Sequence, residues 1–131
     1  MMNYQQTVEY LFNATPVFEK VGASAYKEGL FNSEELDHHF HHPHRHFKTI
    51  HIAGTNGKGS CSHTIASILQ ADGYKIGLYT SPHLVDFRER IRVNGEPISE
   101  DYVVRFVEEE RSFFEPLHPS FFELTTAMAF K

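Results

Sequence analysis

The feature that most constrains the fold is the stretch Phe47–Ser60, which reads FKTIHIAGTNGKGS. Its first part is apolar and β-rich, and it predicts a buried strand. Three glycines follow, and a helical pattern begins at Ser60. Glycines let the backbone turn tightly and point successive N–H groups at phosphate oxygens, and the positive end of the next helix lies at the same place. The stretch therefore predicts a phosphate-binding loop between a strand and a helix.

The residues expected to hold the phosphates of ATP are contiguous: Thr55, Asn56, Gly57, Lys58, Gly59 and Ser60. Lys58 supplies a full positive charge for the β and γ phosphates. The loop departs from the standard GxxxxGK followed by Ser or Thr, because Ile52 replaces the first glycine and Gly59 moves the hydroxyl on to Ser60. A Mg²⁺ ligand from another part of the chain is therefore expected. The alternative is a glycine-rich turn with an exposed lysine.

A helix is predicted from Ser60 to Ala71, and a second strand from Tyr74 to Thr80. The second strand is apolar on both alternating faces, which is typical of a strand buried in a parallel sheet. Strand, helix and strand in this order form one right-handed βαβ unit. The predicted fold class is thus α/β, with a parallel sheet flanked by helices.

Ser81-Pro82-His83 follows the second predicted strand directly. Ligands of open α/β sheets collect at the carboxyl ends of the strands, where the phosphate loop also lies. Thr80 or Ser81 is therefore a candidate oxygen ligand for the Mg²⁺ that accompanies ATP. The alternative is a Ser-Pro turn that only ends the strand.

The next segment, DFRERIR from Asp86 to Arg92, is dense in charge. Three of its residues are candidates for binding anionic groups of a substrate or nucleotide, namely Arg88, Arg90 and Arg92. Alternating apolar residues around Asn94-Gly95 predict a hairpin with a type I′ turn. A helix is then expected after Ser99 with its valines and Phe106 turned inward.

These motifs resemble one family. GTNGKGS is similar to the loop of the folylpolyglutamate synthase and dihydrofolate synthase branch of the Mur ligases, and YTSPHLVDFRERIRVNGEPIS resembles the second signature of that branch. With SFFELTT, the resemblance covers the chain from about Leu36 to its end. It implies a nucleotide domain like the central domain of Mur ligases and an ATP-dependent amide ligase. That ligase adds L-glutamate to dihydropteroate, to folate polyglutamates or to both, through an acyl phosphate.

The resemblance also implies roles for particular residues. Ser81 corresponds to a serine that binds Mg²⁺ in the family, and the stretch Ser120, Phe121, Phe122 and Glu123 borders the pteroate site of the dihydrofolate synthase type. A carboxylate beside aromatic rings suits a flat heteroaromatic such as a pterin. From the residues alone, two core phenylalanines and a glutamate in the first turn of a helix are an equal alternative.

The resemblance divides the chain into an N-terminal helical segment, residues 1–46, and the first part of the ATP-binding domain, residues 47–131. The final residues read as an apolar helix that is still in progress, so we expect a fragment of a larger, monomeric enzyme. The rest of the nucleotide domain and a smaller α/β domain would follow Lys131. The 131-residue chain alone is expected to lack ligase activity.

Composition narrows the function. The net charge of −5 argues against nucleic-acid binding, because no basic surplus is available for phosphates. One cysteine excludes an internal disulfide framework, and no segment resembles a signal peptide or a membrane span. We expect a cytoplasmic protein whose partners are small molecules, with neither nucleic acid nor membrane among them.

Six histidines lie between His38 and His46. Neighbouring imidazoles can chelate a transition metal, whereas a solvated connector interrupted by Pro43 is the alternative.

Two other functions remain open for the whole chain. One is a Mur-type ligase with a different acid as its substrate, and the other is a non-catalytic nucleotide-binding module.

Overall fold

A computed structural model describes two parts of the chain, residues 1–15 and 29–131. The described helices are α1 (Tyr4–Ala14), α2 (Phe31–His39), α3 (Lys58–Ala71), α4 (Glu100–Leu117) and α5 (Phe121–Phe130). The strands are β1 (Gly77–Tyr79), β2 (Ile91–Val93) and β3 (Glu96–Pro97), and short 3₁₀ helices span Pro43–His46 and Phe87–Arg90. Residues 16–28 of the predicted N-terminal helical segment lie outside the described residues.

The chain forms two compact units, which we describe separately: residues 1–48 with 101–131, and residues 49–100. The first unit is helical. Its buried core consists of apolar side chains from four helices: Leu11, Leu36, Val103, Val104, Phe106, Val107, Phe114, Phe121, Leu124 and Met128. Burial of the predicted inward face of α4 is thereby confirmed.

Local sequence signals explain where the helices of the first unit begin. Asn3 caps α1, since its side chain accepts a hydrogen bond from the Gln6 backbone N–H and the Gln6 side chain bonds back to Asn3. Ser120 caps α5 in a similar way through the Glu123 N–H. Helix α2 differs, because it begins after Leu30, which offers no side-chain cap. Helix α4 includes Pro116 and ends at Leu117.

The second unit contains a three-stranded antiparallel sheet in the order β1-β2-β3. This result confirms the mixture of helices and strands, whereas the parallel sheet is not confirmed. Among the described residues, the predicted strand before the glycine loop is unpaired, and the second predicted strand is shortened to β1. A strand needs a hydrogen-bonded neighbour, and β1 takes its neighbour from the following hairpin.

The predicted hairpin is confirmed. Strands β2 and β3 pair antiparallel around Asn94-Gly95, and both turn residues have positive φ values, 50° and 82°. This combination is the backbone of a type I′ turn, which matches the twist of the strands. Asn94 also binds the segment before β1, because its N–H donates to Ile76 O (2.8 Å) and its Oδ1 accepts from Ile76 N (2.9 Å). The turn residue thus helps to align β1 with β2.

Candidate functional site

The glycine-rich loop opens helix α3 without a side-chain cap. Gly57 is the N-cap residue, at φ 75° and ψ 8° in the left-handed region, and no side chain bonds to the N–H groups of the first turn. The first N–H groups of any helix have no partner within the helix, so here they are available to an external acceptor. A Cβ atom at Gly57 or Gly59 would meet no heavy atom within 4 Å. The helix start is thus open as well as uncapped, which suits a phosphate group.

Lys58 bends back over its own loop. Its Nζ donates to Gly54 O at 2.6 Å and to Thr55 O at 3.4 Å, and all residues of the loop are exposed. The ammonium group therefore lies beside the loop backbone, and both of these acceptors are neutral carbonyl oxygens. A phosphate oxygen would be a stronger partner for it because that interaction is charge-assisted.

Ser81 lies in the same unit as the loop and follows the end of β1. It is exposed, and its neighbour Thr80 is anchored by a hydrogen bond from its N–H to Arg90 O at 2.8 Å. The described residues contain no group of three or more His, Cys, Asp or Glu side chains arranged to hold a metal ion. Serine oxygens suit Mg²⁺, which commonly keeps water and substrate phosphates among its ligands. Ser81 presents one such oxygen, exposed after the end of β1.

Glu89 fixes the loop that follows Ser81-Pro82-His83. Its carboxylate accepts hydrogen bonds from three consecutive backbone N–H groups, those of Leu84 (3.0 Å), Val85 (2.9 Å) and Asp86 (2.6 Å). These three bonds lower the pKa of Glu89, and the bond from the Asp86 N–H has the largest effect. The sequence analysis did not identify this role, although Asp86-x-x-Glu89 has the spacing of a capping box, which the structure contains.

All three candidate arginines donate hydrogen bonds within the unit, and Arg92 does so from Nη1 to Gly95 O at 3.3 Å. Arg88 donates to Asp86 Oδ2 from Nη2 (3.0 Å) and from Nε (3.3 Å). Arg90 is buried and donates from Nε to His83 Nδ1 at 2.7 Å, so that His83 nitrogen acts as an acceptor. These contacts orient the segment after β1. Arg92 differs, because its buried Nε has no acceptor in the described part of the chain.

The predicted pteroate residues lie at the start of α5, in the first unit, and they differ in exposure. Phe121 is 3% exposed and stacks on Phe12, with ring centroids 4.6 Å apart. Phe122 is 58% exposed. One carboxylate oxygen of Glu123, Oε2, is buried and has no hydrogen-bond partner in the described part of the chain. Phe122 therefore presents a ring that suits a planar ligand, whereas Phe121 is a core residue.

The histidine run is organised by carboxylates of the first unit. Asp37 contacts His42 Nδ1 at 2.5 Å and His44 Nδ1 at 2.8 Å. His39 stacks on Phe113 with centroids 3.7 Å apart, and its Nε2 lies 2.8 Å from a Glu110 oxygen. These contacts account for three of the six histidines as local structural elements.

In the described residues, no helix is both long enough and apolar enough to cross a membrane.

Comparison with known proteins gives consistent matches. No family model matches the chain. The dihydrofolate synthase/folylpolyglutamate synthase of Bacillus subtilis is 41% identical over 110 residues, which are 79% of this chain and 26% of that protein. The crystal structure of the folylpolyglutamate synthase from Thermotoga maritima superposes with a TM-score of 0.83 at 43% identity, over 97% of this chain and 29% of that one. A folylpolyglutamate synthase in complex with AMPPCP and folate gives a TM-score of 0.82 at 36% identity, over 98% and 32% of the two chains.

The fold and the loop together define a protein of helices and a small antiparallel sheet in which a glycine-rich segment opens a helix. By sequence and by structure, the chain belongs to the family of folylpolyglutamate synthases and dihydrofolate synthases. It spans about a quarter to a third of the length of these three relatives.

Proposed function

We propose that this chain forms part of an ATP-dependent ligase that attaches L-glutamate to dihydropteroate, to folates or to both. The observation that carries the proposal is the uncapped, open start of α3 beside the Lys58 ammonium group. Similarity to a relative that binds AMPPCP, an ATP analogue, together with folate supports the same substrates here. In this proposal, residues 47–131 belong to a nucleotide domain with the parallel sheet of Mur ligases, and residues 1–46 precede it.

The chemistry requires two transfers. A substrate carboxylate oxygen bonds to the γ-phosphorus of ATP while the bond to the β-phosphate oxygen breaks, and ADP leaves. The amino group of glutamate then attacks the acyl carbon, phosphate leaves, and the nitrogen loses a proton. Phosphoryl transfer depends mainly on positioning and on neutralising charge. No residue of this chain needs to act as a nucleophile.

In this mechanism, the residues of the loop hold the triphosphate: Thr55, Asn56, Gly57, Lys58, Gly59 and Ser60. Ser81 would contribute an oxygen to Mg²⁺, which supplies positive charge at the phosphates when it is bound. Glu89 and Arg90 position the segment that carries Ser81 and His83. Phe122 offers an exposed ring to the pteroate, Glu123 lies next to it in the first turn, and Ser120 and Phe121 set the start of the helix that carries them.

Nucleotide binding by the 131-residue chain tests the proposal directly. Titration of ATP with Mg²⁺ by isothermal calorimetry should detect binding, and Lys58→Ala should weaken it by about tenfold or more, since a charge-assisted contact is lost. Lys75→Ala is the matched control, because Lys75 is exposed, carries the same charge and lies in the same unit outside the loop. Unchanged affinity in Lys58→Ala would refute the assignment.

A non-catalytic nucleotide-binding module is the second candidate, because the uncapped start of α3 and the Lys58 ammonium group suit phosphate binding with or without ligase chemistry. We expect the isolated chain to bind ATP without ligase turnover. An assay of ADP release with dihydropteroate or folate, glutamate and ATP checks this expectation. Turnover above the blank would exclude the module and show that the chain suffices for catalysis.

A further inference from the structure

Arg90 holds both ends of residues 80–83, the segment that contains the candidate ligand Ser81. Its backbone O accepts a hydrogen bond from the Thr80 N–H at 2.8 Å, and its Nε donates to His83 Nδ1 at 2.7 Å. The arginine is 3% exposed, whereas Ser81, which lies between the two contacts, is exposed. A buried residue thus fixes the histidine that follows an exposed candidate site residue.

The bond from Arg90 determines which nitrogen of His83 carries the ring proton. A guanidinium N–H can only donate, so His83 Nδ1 is the acceptor and carries no proton. A neutral imidazole has one N–H group, which therefore lies at Nε2. In this tautomer Nε2 donates a hydrogen bond, and it has no lone pair with which to accept a proton.

The direction of the His83 ring is also fixed. It meets the ring of Phe87 edge to face, with centroids 6.2 Å apart and an interplanar angle of 77°. Phe87 is 2% exposed and belongs to the same short 3₁₀ helix as Arg90. Two contacts from one helix therefore hold the imidazole in one place and in one tautomer. Neighbours that fix the tautomer and direction of a histidine in this way are a requirement of a preorganised functional site.

The place of His83 in the chain suggests what its Nε2–H group would bind. In the proposed function, Ser81 lies beside the phosphates of ATP, and His83 follows it by two residues. An N–H donor near that place suits an oxyanion, because hydrogen bonds to charged oxygens are about twice as strong as those between neutral groups. Both a phosphate of the nucleotide and the carboxylate of the acid substrate have this chemistry.

We propose that Arg90 is a positioning residue that holds His83 in the Nε2–H tautomer, and that His83 donates from Nε2 to an oxyanion of a substrate. The substrate part of the proposal rests on the proposed function, whereas the tautomer does not. His83 is thereby a hydrogen-bond donor in the reaction. It is not the base that takes a proton from the amino group of glutamate.

Nuclear magnetic resonance of the ¹⁵N-labelled 131-residue chain tests the tautomer, above the usual pKa range of histidine. Two-bond correlations between ring protons and ring nitrogens distinguish the two tautomers, and the pattern that His83→Phe removes is that of His83. We expect a single Nε2–H pattern in wild type and a mixture in Arg90→Met. Arg90→Lys still offers a donor and should retain the wild-type pattern in part. Arg92→Met is the matched control, because it removes the same charge from a side chain that bonds to Gly95 O.

Titration with ATP in one arm and folate in the other identifies the substrate group. We expect at least one of them to shift the His83 Nε2 signal in a saturable way. His83→Phe keeps a ring against Phe87 but lacks the donor, so it should weaken binding of that ligand about tenfold. Arg90→Met should weaken the same binding, and the double variant should lose little more than His83→Phe alone, because both changes remove one contact.

An Nδ1–H pattern in wild type, or a wild-type pattern in Arg90→Met, would overturn the proposal. A His83 signal that responds to neither ligand would also overturn it, if the amide signals of residues 57–60 respond to ATP. Failure of those loop amides to respond would refute the proposed function separately. The tautomer measurement would still decide whether Arg90 positions His83.

Discussion

Replacement of Phe121 and of its neighbour Phe122 by alanine separates the core from the candidate pteroate surface. Phe121 is 3% exposed and stacked on Phe12, whereas Phe122 is 58% exposed. Truncation of a buried phenylalanine costs about 3–5 kcal/mol of unfolding free energy, whereas most exposed substitutions stay within about 0.5 kcal/mol. Since small domains are stable by only about 5–15 kcal/mol, Phe121→Ala should remove a large part of the total.

Urea denaturation followed by far-ultraviolet circular dichroism measures this difference. The signal reports mainly on the first unit, because four of the five described helices lie largely within it. We expect Phe121→Ala to lower the midpoint strongly with little change in slope, and Phe122→Ala to leave both nearly unchanged. Phe121→Leu serves as the control that keeps most of the apolar volume, and it should cost less than about 1.5 kcal/mol.

Equal losses for the two alanine variants would refute the reasoning, since they would mean that burial in the structure does not describe the protein in solution. Binding of a pterin or folate adds a second readout. If the pteroate assignment is right, Phe122→Ala weakens binding without a change in stability. Phe121→Ala can act only by unfolding or displacing the start of α5.

Three other predictions concern the second unit and the tyrosine of α1. Gly57→Ala should destabilise the chain by about 1 kcal/mol, because φ is +75° there. Gly59→Ala should stabilise it by about 0.5–1 kcal/mol, because Gly59 lies at a helical position with open space around it. Thermal unfolding checks both variants, and a change of the same sign in the two would contradict the helix start described. The lowered pKa of Glu89 means that its contribution to stability is present above the usual carboxyl range and is lost as pH falls through the lowered pKa. The nuclear magnetic resonance signals of the three backbone amides that donate to Glu89 should therefore shift together below that range in wild type, and they should not do so in Glu89→Gln. Burial and the hydrogen bond to Glu115 raise the pKa of Tyr10 to about 12, so the stability gained is present below pH 10 and is lost as pH rises towards 12. Burial also raises the pKa of Tyr102, so ultraviolet absorbance should show both tyrosines ionising late, and Glu115→Gln should move only the Tyr10 ionisation to lower pH.

Features that depend on neighbours in the chain were predictable from the sequence. The helix after the glycine loop, the Asn94-Gly95 hairpin and the inward face of α4 follow from residues a few positions apart. Glycine and asparagine tolerate positive φ, and apolar residues at helical spacing must face a core. These local rules do not need the rest of the fold.

The parallel sheet was not predictable in this way, because a strand is defined by its partner. The residues before the loop have β propensity, but the hairpin supplies the described pairing of β1. The distinction between Phe121 and Phe122 likewise escaped the sequence, since both rings have the same chemistry and only the packing against Phe12 separates them.

The sequence by itself therefore determined the glycine-rich helix start, its lysine and the family to which they point, because these are matters of residue type and short spacing. Only the tertiary structure decided which side chains are available. It engages Arg88 and Arg90 inside the second unit, leaves the buried Nε of Arg92 without an acceptor in the described residues, and has Glu89 bind three backbone N–H groups. The physical reason is that burial and hydrogen-bond partners arise from contacts between segments, which residue types and short spacings do not specify.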